Sequence, residues 1–285
     1  MISIGDIQVH LINDGNILVD AGGPFGLVPR ALWSRAIEPV QDYFVPNTLT
    51  CLLIQADGRN IVVDTGYGHE NDGRLERIVQ LDRSGGDLLA GLARAGVQPA
   101  DVDIVVNTHL HYDHAGGNIY TDDDGTVHPT FPNAEYVVQR REYDDAMNPN
   151  ERTRATYLSM NYEPLVESGQ MRLLDGDTEI VPGVRAVMTP GHTPGHMSVI
   201  IEQGDEAAMF VCDLASFAVH FEKLGWMTAY DVEPLVTLET KRKWQQWALE
   251  TDALVIFAHD LHRPAGRLTM QDGKPQLVKV DVSFA

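Results

Sequence analysis

The chain has 285 residues, 44% hydrophobic and 22% charged, and carries a formal net charge of −20. These values suit a globular protein with a sizeable core, and no apolar run reaches the roughly 18 residues that a membrane span needs. The acidity argues against a nucleic-acid partner, because phosphate backbones are held by Lys and Arg.

The triplet Lys241-Arg242-Lys243 is the one dense cationic stretch, and it is expected on a solvated helix face. Residues 1–6 have no basic start and no apolar run, so no signal peptide is expected. Cys51 and Cys212 both lie in apolar runs and are expected as buried thiols, which makes a cytoplasmic location the default.

Strand-like runs rich in Val, Ile and Leu occur at residues 7–11, 50–55, 60–63, 103–106, 135–139, 171–174, 183–188, 197–202, 208–212 and 253–257. Asp57-Gly58 reads as a hairpin turn between two of them. Residues 88–95 form a helical pattern with Leu88, Leu89, Leu92 and Ala95 on one face, stopped by Gly96. Residues 233–249 give the longest helix candidate, carrying Leu235, Leu238, Trp244 and Trp247. Strands dominate both halves and no linker or repeat divides them. One α/β domain over residues 1–285, built on two sheets, is expected.

Residues 15–47 stand apart as a long loop. It holds Gly22-Gly23-Pro24-Phe25-Gly26 and then Pro29 to Trp33, and aromatic-bearing loops within compact domains are often functional.

The densest chemistry is His109-Leu110-His111-Tyr112-Asp113-His114, which begins where the run ending at Val106 stops. Four ionisable side chains in six residues are costly to assemble unless a cation or a proton relay uses them. His109 and His111 are two apart and face the same way on an extended segment. Asp113 and His114 lie where the chain turns and could serve a second ion. Further candidates follow other strand-like runs: His192 within Thr189-Pro190-Gly191-His192-Thr193-Pro194-Gly195-His196, then Asp213 and His259. Open sheets present their sites at such strand ends. Imidazole with carboxylate suits zinc, with iron, manganese and cobalt as alternatives. Of the remaining histidines, His196 reads as a hydrogen-bonding partner and His220 as a pocket candidate. His10, His69, His128 and His262 read as ordinary surface or packing residues.

This ordered set, together with Asp64-Thr65-Gly66 after a strand, resembles the metallo-β-lactamase superfamily over roughly residues 50–260. The resemblance implies an αββα sandwich of two mixed sheets flanked by helices. It implies two divalent metals, one held by His109, His111 and His192, the other by Asp113, His114 and His259, with Asp213 bridging them. Asp64 would orient a ligand histidine. A hydroxide shared by the metals would attack a carbonyl or phosphorus centre, with Asp113 shuttling the proton to the leaving group.

Within the superfamily, the residues around His109 and His192 resemble the binuclear lactonases, so hydrolysis of a lactone or other ester is the first reading. Those lactonases place a tyrosine three residues after the bridging aspartate, where this chain has Ser216, followed by Phe217. The loop from Gly22 to Trp33 and the stretch from Asp213 to Pro234 resemble the methyl parathion hydrolase branch, which makes a phosphotriester or aryl-ester hydrolase the runner-up. A mono-iron sulfur dioxygenase and a glyoxalase II-like thiolesterase are further alternatives. Phe25, Leu27, Trp33, Ser216, Phe217, His220 and Trp226 are the expected pocket residues. The expected partner is a small ester, lactone or phosphotriester, with no membrane or nucleic acid, and a homodimer is compatible with the sequence.

Overall fold

The computed structural model describes residues 1–37, 39–70 and 73–285. In chain order the strands are β1 (Ile2–Ile4), β2 (Ile7–Asp20), β3 (Phe44–Ala56), β4 (Arg59–Val63), β5 (Ile104–Val106), β6 (Ile119–Thr121), β7 (Val127–Pro129), β8 (Glu135–Gln139) and β9 (Met171–Leu174). They continue as β10 (Thr178–Val181), β11 (Val184–Met188), β12 (Met197–Gln203), β13 (Glu206–Phe210), β14 (Leu254–Ile256), β15 (Ala265–Gln271) and β16 (Lys274–Lys279). One seven-stranded sheet has the order β1-β2-β3-β4-β5-β8-β9, a second runs from β10 to β16 in sequence order, and β6 pairs with β7 alone.

Side-chain alternation explains the layering, since successive residues of a strand point to opposite faces. In β3, Leu52 and Ile54 enter the core between the sheets, while Cys51 and Leu53 pack on the outer side with Leu88 and Leu92 of the helix Leu88–Arg94. In β12, Val199 and Ile201 face the same inner core, and Ile200 faces outward toward Trp244 and Ala248 of the helix Pro234–Thr251. The result is the expected αββα sandwich. Each fully buried aliphatic side chain contributes about 1.5–3 kcal/mol toward holding it together.

The two sheets are joined by hydrogen bonds at one edge. Thr48 and Thr50 of β3 donate their backbone N–H groups to the carbonyls of His259 and Ala258, and Met197 donates to Thr108. β4, β5 and β8 run parallel, as do β13 and β14, so several strand C-termini open toward that edge.

Two expectations are corrected. Residues 15–47 are not one loop, because β2 continues to Asp20 and β3 begins at Phe44. A register shift between Asn13 and Asn16 interrupts β2, and its polar residues look like a turn in the sequence. Lys241 is not on a solvated face but fully buried, with its ammonium donating to the His220 and Trp226 carbonyls. The strands β10, β15 and β16 and the helix Arg140–Met147 were not marked by the sequence pattern. Both cysteines are free and buried, as expected. Among the described residues, no helix is long and apolar enough to cross a membrane.

Candidate metal centre

Each candidate ligand is carried just past a strand end at the joined edge. His109 and His111 follow β5, and Asp113 and His114 sit on the short helix Tyr112–Ala115. His192 follows β11, Asp213 follows β13 and His259 follows β14. All five histidines and Asp213 are buried, and Asp113 is half-buried.

The donor atoms fall into two groups. In the first, His192 Nε2 lies 3.2 Å from His111 Nδ1 and 3.3 Å from Asp213 Oδ2, and His109 Nε2 lies 3.8 Å from that oxygen. In the second, His259 Nε2 lies 3.2 Å from His114 Nε2 and 3.1 Å from Asp213 Oδ1. Asp113 Oδ2 lies 3.7 and 3.9 Å from the same two nitrogens. Asp213 therefore stands between the groups. A tetrahedral ion with bonds of about 2.0–2.2 Å needs donors about 3.3–3.6 Å apart, close to these separations.

The outer ring nitrogens test whether a cation suits the space. His259 Nδ1 is 2.8 Å from the Thr48 carbonyl, which can only accept, so that nitrogen carries the proton. His114 Nδ1 is 3.0 Å from Asp64 Oδ2, and His192 Nδ1 is 3.0 Å from Asp231 Oδ1. A neutral ring so engaged turns the lone pair of Nε2 inward. The lone pairs of His114 and His259 then confront each other beside the Asp213 carboxylate. Buried His109 Nε2 has no hydrogen-bond partner among the described residues. Such an arrangement calls for positive charge between the donors.

The titration tendencies agree. Burial, then the neighbouring imidazoles, push His109 and His111 well below the usual histidine value, leaving them neutral. Burial also acts to lower His114, His192 and His259, but neighbouring acidic groups, Asp213 among them, outweigh it and raise all three. Asp213 is held well below the carboxylate range because those three rings outweigh its burial.

The supporting residues are satisfied. Asp64 also accepts from the Thr108 N–H and hydroxyl, both at 2.8 Å. It occupies the left-handed region at φ 56°, which Asp tolerates better than most residues. His196 Nδ1 contacts the Thr189 hydroxyl at 2.8 Å, and its Nε2 accepts the Asp213 N–H at 3.2 Å, so it steadies the segment that carries the carboxylate. Asp231, which the sequence did not single out for a role, is fixed by the Thr228 hydroxyl at 2.7 Å.

A cleft of about 80 Å³ opens over both groups, lined by Asp113, His111, His192, Asp213 and His259 together with Ile17, Val19, Pro24, Asn47, Tyr112, Ser216, Phe217 and Tyr230. Ser216 and Phe217 thus reach it. Phe25 and Trp33 do not; they stack at 5.5 Å inside a closed cluster with Phe217, Val219 and Trp226, because apolar rings gain more from mutual burial than from a wet wall. His220 belongs to the same buried cluster, 5.0 Å from Phe25. Burial, then Lys241, push its ring down to about 3, and neither ring nitrogen has a hydrogen-bond partner among the described residues. Leu27 is exposed to solvent and does not reach the cleft. Tyr230 was missed by the sequence reading. Its phenol is pushed up to about 12 by burial and then by Asp113 and Asp213. A larger cavity of about 540 Å³ lies behind Thr65 and Gly117 and contains none of the seven candidate ligands.

A model of the metallo-beta-lactamase superfamily matches residues 46–259. An N-acyl homoserine lactonase from a Bacillus species is 29% identical over 231 residues, which cover 76% of this chain and 82% of that protein. A probable metal-dependent hydrolase from Staphylococcus aureus superposes with a TM-score of 0.87 at 30% identity, over 99% of this chain and 100% of that one. AidC, a dizinc quorum-quenching lactonase, superposes with a TM-score of 0.80 at 20% identity, over 99% and 97% of the two chains, which speaks for a common fold. The matched residues include all seven candidate ligands, and the chain belongs to the metallo-beta-lactamase superfamily as a hydrolase of that family.

Proposed function

We propose that this protein hydrolyses a lactone or related ester with two divalent cations, zinc being the first choice. His109, His111 and His192 would hold one, Asp113, His114 and His259 would hold the other, and Asp213 lies where it would serve both. The observation that carries the reading is the pair of donor groups sharing Asp213, with inward lone pairs fixed by Thr48, Asp64 and Asp231. Two such cations would supply an activated water near neutral pH and polarise an acyl oxygen.

The chain's own residues supply the rest. Asp113 keeps its side chain 22% exposed, so it can carry a proton from the reacting water to the departing alkoxide. Ser216 donates to Asp213 Oδ1 at 3.0 Å and is thereby occupied in steadying that carboxylate. Ile17, Val19, Pro24 and Phe217 offer apolar walls, and no Lys or Arg lines the cleft among the described residues. That composition favours a neutral substrate over an anionic one, in keeping with the lactonase relatives, and it disfavours a glutathione thiolester. The same neutrality admits phosphotriesters, the second reading. A complete second donor group argues against a mono-iron oxygenase.

The test is elemental analysis of the purified protein combined with a substrate panel of N-acyl homoserine lactones, γ- and δ-lactones, aryl esters and a paraoxon-like triester. Two metals per chain and the highest kcat/KM on a lactone are expected. Active protein without a transition metal would sink the reading, and a dominant rate on the triester would replace it with the second.

A further inference from the structure

We propose that Glu142 is a positioning residue for one half of the centre only: it clamps the loop of His109 and His111 to the loop of His192, so that these three rings converge. The inference rests on the reading that the three rings bind a cation.

Glu142 lies on the helix Arg140–Met147 and is fully buried. Its Oε1 accepts the Leu110 N–H at 3.0 Å and the Tyr157 hydroxyl at 2.9 Å, and its Oε2 accepts the Thr193 hydroxyl at 2.5 Å. Leu110 separates His109 from His111, and Thr193 follows His192, so one carboxylate grips both ligand loops. Tyr157 extends the clamp, since its ring lies 5.1 Å from that of His111 and its backbone pairs with the same residue. Gly195 presses its backbone onto that of Glu142 so closely that a Cβ there would collide. This fixes the distance between the His192 loop and the helix.

The other half is built without Glu142. His114 is oriented by Asp64 and His259 by the Thr48 carbonyl. All three donors to Glu142 are neutral, and all would lose a buried acceptor together if it were removed. Residues that orient metal ligands typically account for about 10- to 100-fold in metal affinity.

Titrating metal-stripped protein with Zn²⁺ by calorimetry, with elemental analysis of the products, tests the assignment. Wild type should take up two ions. Glu142→Ala should weaken one binding step by about 10- to 100-fold and leave the other unchanged. Glu142→Gln should restore most of the loss, because its amide oxygen still accepts from Leu110 and Tyr157 while its NH₂ can donate to Thr193. Thr193→Val, which frees Oε2 alone, should weaken the same step to a smaller degree and serves if the alanine variant fails to fold. Equal weakening of both steps, no weakening, or a glutamine variant as impaired as alanine would overturn the proposal. A wild type that binds no metal would overturn the proposed function as well, which separates the two failures.

Discussion

Asp231 Oδ1 lies 3.0 Å from His192 Nδ1, and the Thr228 hydroxyl holds the same oxygen from the other side at 2.7 Å. Both residues are buried, and Asp231 titrates below its usual range because hydrogen bonding and the charge of His192, with help from Thr228, outweigh its burial. The carboxylate fixes which ring nitrogen carries the proton and turns Nε2 toward Asp213. Asp231→Ala should therefore cost about 10- to 100-fold in metal affinity, and Asp231→Asn clearly less, because its amide oxygen can still accept from Nδ1. Competition with a chromophoric chelator measures this. Unaltered affinity in the alanine variant would remove Asp231 from the centre.

Trp33 tests the corrected role of the loop aromatics. It is 5% exposed and stacked on Phe25 with an interplanar angle of 15°. Trp33→Ala should destabilise the protein by about 3–5 kcal/mol through the cavity it leaves. KM for apolar substrates should stay within a small factor in the folded fraction. Urea denaturation alongside steady-state kinetics checks both, and a raised KM at unchanged stability would place the ring at the cleft after all.

Lys241 should leave a signature in the pH dependence of stability. Burial lowers its ammonium to about 8 from 10.5, against a raising effect of Asp231. Since the folded value lies below the unfolded one, the unfolded chain binds more protons between them, and stability rises with pH across that window. The penalty is fully present below pH 8 and gone above about pH 10.5, at most about 3 kcal/mol. Lys241→Met should flatten this rise. Denaturation curves of both proteins from pH 7 to 10.5 give the comparison, and parallel slopes would refute it.

The cluster of candidate ligands was legible in the sequence because histidine and aspartate just past apolar runs leave few readings other than a site at strand ends. Residues that act through tertiary contact were not. Asp231 meets His192 across 39 positions and Glu142 meets Leu110 across 32, and neither sits in a local pattern that hints at its partner. The strand from Ile7 to Asp20 was cut short because its irregularity at Asn13–Asn16 has the composition of a turn. Phe25 and Trp33 misled for a different reason. Aromatic residues in a loop serve equally as a wall or as an anchor, and only burial distinguishes the two.

The hydrogen bonds between Thr48 and His259 join positions 211 residues apart. A chain emerging from the ribosome cannot close the centre until its last ligand has been made and the second sheet has docked on the first. Partial chains ending before His259 would lack that donor and the docked second sheet, and so the geometry that binds tightly. On the proposed metal-binding role, the ions would be captured only once both sheets exist and would then lock them together.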